Sequence, residues 1–485
     1  MWAYQTGCPV RTLTALTTAA LLIFGLLLSA CEEQDSLARI HSEGVLRIVT
    51  RNGPTTYYEN RGSGTGFEYV LAKMFANHLD VDLEVTPVYG IDDLFEHLQK
   101  GRADLAAASL TPSPERARIF EFGPTYMKVR QFVIYRRGKA YADATPDLFG
   151  KHLRVMQNSS QEETLIALRE EFPDLAWDAP PKLETTDLLE QLENGEIDFA
   201  VIDSNDYIAN KGFYPQLRVA FSIGEPGALA WALGNKLDNT RLLKELDNFF
   251  ATIRQTGELA SLVERFYGHN ESNTQINSQT FVENVESRLP EYKDLIEQVA
   301  LEYEIDWRLL AAISYQESYW NPRAVSPTGV KGMMMLTRNT AKEMGVDYRF
   351  DARQSLRGGA RYFKKMYQLI SDDIREPDRS WFALAAYNIG RGHMEDARTL
   401  TEQQGGNPDH WKDVKERLPL LRQRKYFSTT RFGFARGDEA VNYVQNIRHY
   451  YSLLTWTEIS KIRVPPPKVA QDLLPPALAP FYKAL

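Results

Sequence analysis

The sequence has only two cysteines among 485 residues, Cys8 and Cys31, and both lie within the first 31 positions. The rest of the chain therefore has no thiols for a disulfide framework or a cysteine-based zinc site. Its eight histidines include no HExxH-type pair, the motif of many zinc hydrolases. We expect neither a metal nor a cofactor. A net charge of −8 at pH 7 also argues against a dedicated nucleic-acid binder.

Composition and charge indicate a globular chain with more than one part. Hydrophobic residues make up 43% and charged residues 25%, which excludes a wholly disordered or fibrous protein. A length of 485 residues corresponds to about three domains of ~150 residues, or to two large ones. Residues 271–485 carry a net charge of +3, whereas the first 270 carry −11. The two halves therefore differ in electrostatic character, and we expect them to differ in role.

The N-terminal segment combines a basic residue, an apolar run and small residues. The run follows Arg11 and ends in the tetrapeptide Leu-Ser-Ala-Cys at Cys31, which is typical of a secretory signal over residues 1–30. The tetrapeptide resembles the bacterial lipobox, which implies a lipidated Cys31 followed by a tether over 31–43. About 20 apolar residues can also span a bilayer, so an uncleaved anchor helix is the alternative. Glu32 after the cysteine resembles the sorting signal for the periplasmic face of the outer membrane.

Residues 44–268 alternate short apolar runs with amphipathic segments. The strand candidates are residues 45–49, 81–88, 103–110, 132–135, 153–156 and 199–202. Apolar residues repeat at helical spacing over 67–79 and 92–100. This βαβα alternation predicts a mostly parallel sheet covered by helices on both faces.

Four motifs in this region, in this order, resemble those of the family 3 periplasmic solute-binding proteins. They are GFEYVLA at 66–72, GRADL at 101–105, TPSPER at 111–116 and IDFAVID at 197–203. The resemblance covers residues 44–268 and implies an α/β domain of two lobes that close on a small ligand. The expected ligand is an amino acid or a small peptide.

The resemblance also implies ligand-binding residues. Arg116 would bind an α-carboxylate, because a planar guanidinium matches two carboxylate oxygens, and Asp203 would hold an α-ammonium. Further contacts are expected from Ser109, Thr111, Ser159 and Ser160, with Tyr57 packing over the ligand stem. The alternative is that Arg116 is a surface residue near a helix N-terminus. Arg116 and Asp203 each lie just beyond a predicted buried strand, which favours the ligand-binding interpretation.

A polar segment over residues 269–279 predicts a linker, and the pattern changes beyond it. Apolar residues repeat at helical spacing around positions 295–303, 309–317, 362–369 and 382–389. We therefore predict an all-helical domain over 280–463. Residues 464–485 form a proline-rich tail.

One predicted helix places a carboxylate on its apolar face. Asp306 can cap the segment that follows, and positions 309, 313, 317 and 320 share a face. That face carries Leu309, Ile313, Glu317 and Trp320. Burial raises the pKa of a carboxyl, and an acid protonated near neutral pH can donate a proton to a glycosidic oxygen. The alternative is a helix-end glutamate paired with a nearby cation such as Arg323.

The surroundings of Glu317 resemble the lytic transglycosylases, which share the goose-type lysozyme fold. Four motifs in order carry the resemblance: ESYWNP at 317–322, SPTGVKGMMM at 326–335 with TA at 340–341, AAYNIG at 385–390 and YVQNI at 443–447. The family often has Gln where Met335 stands, which puts one polar substrate contact in doubt. With the signal and the solute-binding motifs, the chain resembles the membrane-bound lytic transglycosylases.

This second resemblance implies the roles of several residues. Glu317 would be the catalytic residue and Tyr387 its hydrogen-bonding partner, with Tyr443 behind the same cleft. Ser326 and Asn388 would contact the substrate. Simple core packing is the alternative for both tyrosines and for the three methionines 333–335. Trp320 could stack on a sugar or complete the core.

The implied activity is cleavage of peptidoglycan glycan strands without water. Most glycosidases use two carboxylates, and no second acid lies at a corresponding place in these motifs. Glu317 would protonate the oxygen between N-acetylmuramic acid and N-acetylglucosamine. It would then take the proton of the muramoyl 6-hydroxyl, which closes a 1,6-anhydro ring. The alternatives are a non-enzymatic envelope receptor whose helical domain binds the wall, and a muramidase that uses water.

Overall fold

The structure is a computed structural model that describes residues 35–60, 63–268 and 278–462. The predicted signal peptide over 1–30, the lipidation site Cys31, most of the predicted linker and the proline-rich tail over 464–485 lie outside the described residues.

The first part of the chain alternates strands and helices. Its strands are β1 (Val45–Arg51), β2 (Tyr58–Asn60), β3 (Ser63–Thr65), β4 (Asp82–Val88), β5 (Leu105–Leu110), β6 (Glu121–Phe122), β7 (Met127–Arg136), β8 (Leu153–Arg154), β9 (Phe199–Asp203) and β10 (Leu217–Leu233). Its helices are α1 (Ser36–Glu43), α2 (Phe67–His78), α3 (Gly90–Gln99), α4 (Pro114–Ala117), α5 (Ser160–Leu168), α6 (Thr185–Asn194), α7 (Ser204–Asn210), α8 (Thr240–Gln255) and α9 (Glu258–Val263). A 3₁₀ turn at Thr145–Leu148 and a π turn at Glu264–Gly268 complete this part.

The main sheet is mixed rather than mostly parallel, which corrects the expectation from sequence. Its strand order is β4-β1-β5-β10-β7-β9-β8, with β6 also paired to β10. Strand β1 runs parallel to β4 and β5, and β8 runs parallel to β9. Strands β10 and β7, however, pair antiparallel with each other and with their neighbours β5 and β9. Two parallel units are therefore joined by two long antiparallel strands.

These two long strands connect two lobes. One end of β10 pairs with β5 and β6, and its other end pairs with β7. The first lobe packs around Leu71, Phe75 and Trp231. The second lobe packs around Val133 and Phe199. The expected two-lobed α/β fold is confirmed, and the carboxyl ends of β5 and β9 bring residues of both lobes toward one cleft.

The predicted tether over 31–43 is wrong for its described part, because residues 36–43 form a helix of the first domain. Asp35 caps this helix by accepting a hydrogen bond from the backbone of Ala38. Leu37 and Ile40 are buried in the first lobe. Arg39 forms an ion pair with the buried Asp104. Burial of one apolar face thus fixes this short helix to the lobe.

The second part of the chain is all-helical, as predicted. Its helices are α10 (Ser278–Ser287), α11 (Leu289–Glu302), α12 (Trp307–Ser318), α13 (Arg338–Glu343), α14 (Ala352–Gln368), α15 (Asp378–Ile389), α16 (Arg391–Gln403), α17 (Trp411–Arg417), α18 (Arg424–Phe427) and α19 (Gly437–Ile462), with a 3₁₀ turn at Leu418–Arg422. One hydrophobic core unites them, centred on Ile313, Phe382 and Val444. Helix α19 packs against both α12 and α15. This packing brings together two motifs that are more than 120 residues apart in sequence.

Candidate active site

Glu317 lies in the last turn of α12, a helix of which most residues are buried. Asp306 begins this helix, since its carboxylate accepts a hydrogen bond from the backbone N–H of Arg308 at 2.9 Å. Ile313 and Leu309, one and two turns earlier than Glu317, are buried. Glu317 itself is partly exposed. The predicted face is therefore correct, and it carries its carboxyl to the edge of the core, where a substrate could reach it.

The end of this helix is conformationally unusual. Tyr319 and Trp320 both adopt left-handed backbone conformations, with φ of 56° and 55°. Such a conformation costs a non-glycine residue about 1–2 kcal/mol, and it persists only where the surroundings hold it. The indole N–H of the buried Trp320 donates to the carbonyl of Ala311 at 2.9 Å. Trp320 thus completes the core and is not available to stack on a sugar.

Tyr443 is the hydrogen-bond partner of Glu317. Its hydroxyl donates to Glu317 Oε1 at 2.6 Å from helix α19. The expectation that Tyr387 would form this bond is therefore wrong. Tyr443 is 6% exposed, so the bond lies at the border between the core and the cleft. A hydroxyl held there fixes the orientation of the carboxyl group.

Burial raises the pKa of Glu317 to about 7 from an ordinary value of 4.5, and the hydrogen bond from Tyr443 opposes that rise in pKa. No cation contributes to this pKa. In particular, the described residues show no ion pair between Glu317 and Arg323, which is exposed. The alternative of a glutamate paired with a cation at the helix end is therefore excluded. With a pKa near 7, Glu317 is accessible in both its protonated and its ionised form at neutral pH.

Tyr387 lies beside Tyr443 rather than on Glu317. The two rings are stacked, with centroids 6.2 Å apart and planes inclined by 12°. The Tyr387 hydroxyl is buried and has no hydrogen-bond partner among the described residues. Burial and the nearby Glu317 both raise the pKa of Tyr387 well above its usual value. Tyr387 therefore offers a protonated, unused hydroxyl within the electrostatic reach of Glu317.

The other residues predicted in this site differ in their surroundings. Ser326 lies in the loop between α12 and α13, where its hydroxyl accepts a bond from the backbone of Val330 at 3.2 Å. Asn388 is exposed, directly after Tyr387. Met333 and Met334 are buried in the core, as the core interpretation predicted, whereas Met335 is partly exposed with φ of 43°.

Sequence reasoning missed Ser318, which ties the catalytic helix to the methionine-rich loop. Its hydroxyl donates to the carbonyl of Met333 at 2.8 Å and accepts from the backbone N–H of Asn321 at 3.1 Å. The buried Ser318 therefore holds three segments of the site together. In the sequence, the one indication of this role of Ser318 is its place next to Glu317 in the first motif.

In the first domain, Arg116 lies between the two lobes. It follows β5, in the short helix α4 that Ser113 caps. Its guanidinium donates to the carbonyls of Thr111 at 3.0 Å and Asn158 at 2.8 Å, and it pairs with Glu163 at 3.1 Å. Arg116 is 6% exposed, so the surface alternative is wrong. Glu163 therefore occupies part of the guanidinium at which a ligand carboxylate was expected.

Asp203 lies at the end of β9, on the second lobe. It is buried, and its Oδ1 has no hydrogen-bond partner among the described residues. Burial, and next the neighbouring Asp206, raise the pKa of Asp203 to about 7. The hydroxyl of Thr111 is also buried without a partner among the described residues. The cleft thus holds unused hydrogen-bonding capacity on both lobes.

The remaining predicted cleft residues are engaged within the protein. The backbone N–H and the hydroxyl of Ser109 donate to the buried Glu68 at 2.9 and 3.2 Å. Ser159 caps α5 by accepting from the backbone of Glu162 at 3.1 Å, and Ser160 is the first residue of that helix. Tyr57 is partly exposed and packs against Tyr69, with ring centroids 5.5 Å apart.

Comparison with known proteins identifies both parts. Residues 294–409 match the family described as "Transglycosylase SLT domain", and residues 46–269 match "Bacterial extracellular solute-binding proteins, family 3". A protein of Saccharophagus degradans named "Membrane-bound lytic murein transglycosylase F" is 48% identical over 429 residues, which cover 88% of this chain and 85% of that protein. The chain belongs to the membrane-bound lytic murein transglycosylase F family. A second relative of that name, from Pseudomonas syringae pv. syringae, is 44% identical over 433 residues, 89% of this chain and 87% of its own.

Membership in the F family confirms both resemblances drawn from the motifs. Solved structures similar to the chain include an amino acid ABC transporter substrate-binding protein from Streptococcus pneumoniae bound to L-arginine. It is 21% identical and covers 48% of this chain and 99% of that one, with a TM-score of 0.43. A cysteine-binding protein from Campylobacter jejuni is 20% identical and covers 50% and 96% of the two chains, with a TM-score of 0.45.

In this member of the F family, sequence reasoning also missed the contacts that join the lobes. Arg51, at the end of β1, pairs with Glu184 of the second lobe at 3.2 Å. Asp206 accepts hydrogen bonds from Thr55 at 2.7 Å and Thr185 at 3.1 Å, one from each side of the cleft. The signal for Arg51 was its place just after a buried strand, which it shares with Arg116 and Asp203.

The described ranges 35–60, 63–268 and 278–462 contain neither a candidate membrane-spanning helix nor a candidate metal site. No helix there combines the length and the apolar composition needed to cross a membrane. No group of three or more His, Cys, Asp or Glu side chains in those ranges could hold a metal ion.

Proposed function

We propose that this protein is a peptidoglycan lytic transglycosylase in which Glu317 is both the acid and the base. The observation that carries the proposal is a carboxyl group whose pKa is raised by burial to about 7 and which accepts a short hydrogen bond from Tyr443. General acid–base catalysis is most efficient when the pKa of the catalytic group lies near the working pH. The membership of the F family and the SLT domain support the same activity.

In the first step, protonated Glu317 donates its proton to the glycosidic oxygen between N-acetylmuramic acid and N-acetylglucosamine. The bond from that oxygen to C1 of the muramoyl residue breaks, and N-acetylglucosamine leaves with the proton. Glu317 is now a carboxylate. In the second step it takes the proton of the muramoyl 6-hydroxyl, whose oxygen forms a bond to C1. The product ends in a 1,6-anhydro ring, no water is consumed, and Glu317 is protonated again.

A single carboxyl group suffices for this sequence of steps. Hydrolytic glycosidases commonly need a second carboxylate, as a nucleophile or to activate water. Among the described residues, only burial and Tyr443 shift the pKa of Glu317, so no second acid acts on it at close range. The intramolecular 6-hydroxyl would take the place of water.

Tyr443 and Tyr387 would assist Glu317 in different ways. Tyr443 would orient the carboxyl, since its hydroxyl already donates to Oε1. Tyr387 would donate its unused hydroxyl to the substrate or to the carboxylate formed in the first step. Ser326 and Asn388 would contact substrate at the edge of the cleft, where both are accessible.

For the first domain, we propose binding of a small zwitterion such as an amino acid or a short peptide. Asp203 and Thr111 supply unpartnered buried oxygens for an ammonium or an amide. Arg116 would bind the carboxylate after exchanging its ion pair with Glu163. Ser159, Ser160 and Tyr57 would line the same cleft, and Ser109 would position its edge.

We further propose that lipidated Cys31 attaches the protein to the periplasmic face of the outer membrane. The support is the lipobox-like tetrapeptide followed by Glu32, and the word "membrane-bound" in the names of the relatives. The first described helix begins five residues after Cys31, so the first domain would lie close to the membrane surface.

The experiment that tests the activity is mass spectrometry of the products from purified peptidoglycan. Wild-type protein should release fragments with 1,6-anhydro ends, each lighter by one water than the hydrolysed fragment. Glu317→Gln should release none. The matched control is Glu302→Gln on the preceding helix, which removes an exposed carboxylate paired with Arg357 and should leave the products unchanged.

Two other results would each contradict the proposal. Fragments that carry the added mass of water would indicate a hydrolytic muramidase. Equal behaviour of wild type and Glu317→Gln would indicate a non-enzymatic receptor that binds the wall.

A further inference from the structure

The two domains meet in an extensive polar and aromatic interface. Glu264, in the π turn at the end of the first domain, pairs with Arg448 of α19 at 2.8 Å and with Lys415 of α17. Trp456 of α19 packs against Tyr58 and Phe213 of the first domain, with ring centroids 6.0 and 5.8 Å apart. The side chains of the two ion pairs are largely buried between the domains.

A cavity of about 470 Å³ lies within this interface. Neither Glu317 nor Arg116 lines it, so it is distinct from both sites described above. Its walls come from both domains and include several aromatic residues, among them Tyr58, Phe213, Phe266, Tyr451 and Trp456. Pockets of about 300–1,000 Å³ with apolar walls and a few polar groups are typical of small-molecule sites.

Three polar groups of the walls have no hydrogen-bond partner among the described residues: the Arg265 guanidinium, the Trp381 indole N–H and the buried Tyr267 hydroxyl. Arg265 stacks its guanidinium over Phe266 at 5.2 Å, and no described residue forms an ion pair or hydrogen bond with that guanidinium. Trp381 is 8% exposed, and its indole N–H has no hydrogen-bond partner among the described residues. A buried donor without a partner is unfavourable, so the Trp381 indole N–H is explained best by a group that is bound in the cavity. The partly exposed guanidinium of Arg265 lines the same cavity.

The acidic residues of the walls are already engaged. Glu304 pairs with Lys364 at 3.1 Å, and Asp306 pairs with Arg308 at 2.9 Å. Glu376 accepts a hydrogen bond from Ser380 at 3.0 Å. The wall cations Lys364 and Arg448 are paired with Glu304 and Glu264, which leaves Arg265 as the wall cation without an ion-pair partner among the described residues. A guanidinium in that position selects an acceptor that is anionic.

We propose that this interdomain cavity binds a small amphipathic carboxylate. Its carboxylate group pairs with Arg265, a further acceptor atom receives the indole N–H of Trp381, and its apolar body packs against the aromatic walls. A planar guanidinium suits a carboxylate, since two N–H groups can donate to its two oxygens. The C-terminus of a short peptide with an apolar side chain and a medium-chain fatty acid share this chemistry.

Isothermal titration calorimetry on the full described chain, residues 35–462, tests the proposal with two probes. One is N-acetyl-L-alanyl-L-phenylalanine, and the other is octanoate; each is compared with its own carboxamide. We expect saturable binding of at least one carboxylate and binding of its carboxamide that is about ten- to a hundredfold weaker, because a hydrogen bond to a charged group is lost.

Two substitutions test whether the probe binds in this cavity. Arg265→Met keeps the aliphatic chain and removes the charged donors, and Trp381→Phe keeps an aromatic ring and removes only the indole N–H. The first should weaken binding of the carboxylate about ten- to a hundredfold and the second a few-fold. The matched control is Arg169→Met, because Arg169 also stacks on one aromatic ring, that of Trp177 at 4.8 Å, and lies outside the cavity.

A further variant, Arg116→Met, separates this cavity from the solute-binding cleft. Binding that is lost in Arg265→Met and kept in Arg116→Met supports the proposal, and the probe that binds identifies the source of the carboxylate. Binding that disappears in Arg116→Met and persists in Arg265→Met overturns it. Absence of saturable binding for both probes overturns it as well, and thermal melting of each variant shows whether it is folded.

Discussion

Replacing Tyr443 by phenylalanine tests the chemistry of the catalytic carboxyl directly. The substitution keeps the ring in its buried place and removes only the hydroxyl that donates to Glu317 Oε1 at 2.6 Å. Burial raises the pKa of Glu317, and this hydrogen bond is what holds that pKa down to about 7. Without the bond, the carboxylate form is less stable and the pKa of Glu317 must rise.

The expected rise in the pKa of Glu317 follows from the strength of the hydrogen bond that is removed. A hydrogen bond to a charged group contributes about 1.5–3 kcal/mol, and one pKa unit corresponds to about 1.36 kcal/mol. The pKa of Glu317 should therefore rise by about 1–2 units in Tyr443→Phe. Burial raises the pKa of Tyr443 well above its usual value, so in the wild type this donor keeps its proton at every pH of interest.

The assay is kcat/KM on purified peptidoglycan as a function of pH. Because the first step needs the protonated acid, wild-type kcat/KM should fall as the pH rises above about 7. In Tyr443→Phe, the same fall should begin about 1–2 pH units higher. The maximum rate should also decrease, since the carboxyl group is no longer oriented.

Tyr387→Phe is the matched control, because its buried hydroxyl has no hydrogen-bond partner among the described residues, Glu317 included. Its pH profile should stay close to that of the wild type. The reasoning is refuted if the alkaline fall of Tyr443→Phe stays at the wild-type pH or moves to lower pH. It is also refuted if the two variants shift the profile equally.

Two further predictions concern stability. The pKa of Glu317 lies near 7 in the folded state and near 4.5 ordinarily, so the folded protein loses stability as the pH rises between these values. Glu317→Gln cannot ionise, so its free energy of unfolding should match that of the wild type near pH 4 and exceed it by about 2–3 kcal/mol at pH 8. Melting temperatures measured at both pH values check this, and an equal difference at pH 4 and pH 8 would contradict it. Glu264→Ala should lower the melting temperature by roughly 5–10 °C, because it leaves the buried Arg448 without its carboxylate, at about 3 kcal/mol. Glu258→Ala, an exposed carboxylate six residues earlier, is the control and should change it little.

Local structure was predictable wherever short-range rules decide it. The helix that carries Glu317 begins directly after its predicted capping residue Asp306. The strands Val45–Arg51 and Phe199–Asp203 also lie where the apolar runs placed them. Capping, apolar periodicity and continuous apolar runs act over a few residues, so one sequence suffices to find them.

The 17-residue strand β10 could not be found in that way. Its middle contains Gly224 and Pro226, which are typical of a turn, and the register against β7 shifts between Ile223 and Gly227. The strand continues there because both of its ends pair in the sheet. Long-range pairing thus overrode a local turn signal and made the sheet mixed rather than mostly parallel.

The choice between two tyrosines was also beyond the sequence. Tyr387 and Tyr443 each follow small or polar residues on a helix within a recognisable motif, and only one of them donates to Glu317. The two helices cross at an angle that packing sets, over a separation of 126 residues from Glu317 to Tyr443. The spacing of apolar residues within either helix does not predict that crossing angle.

The order of amino acids by itself determined the parts of this protein: which stretches are strands or helices, and that an acid stands on an apolar helix face. It also determined the family, since the motif residues and their order can be recognised in the sequence without knowledge of their contacts. Only the tertiary structure decided that Tyr443 holds Glu317, that Glu163 engages Arg116, and that Arg265 faces an interdomain cavity without an ion-pair partner among the described residues. Each of these three results depends on which residues, distant in sequence, come into contact and exclude water from one another. Only the packing of the whole chain decides that.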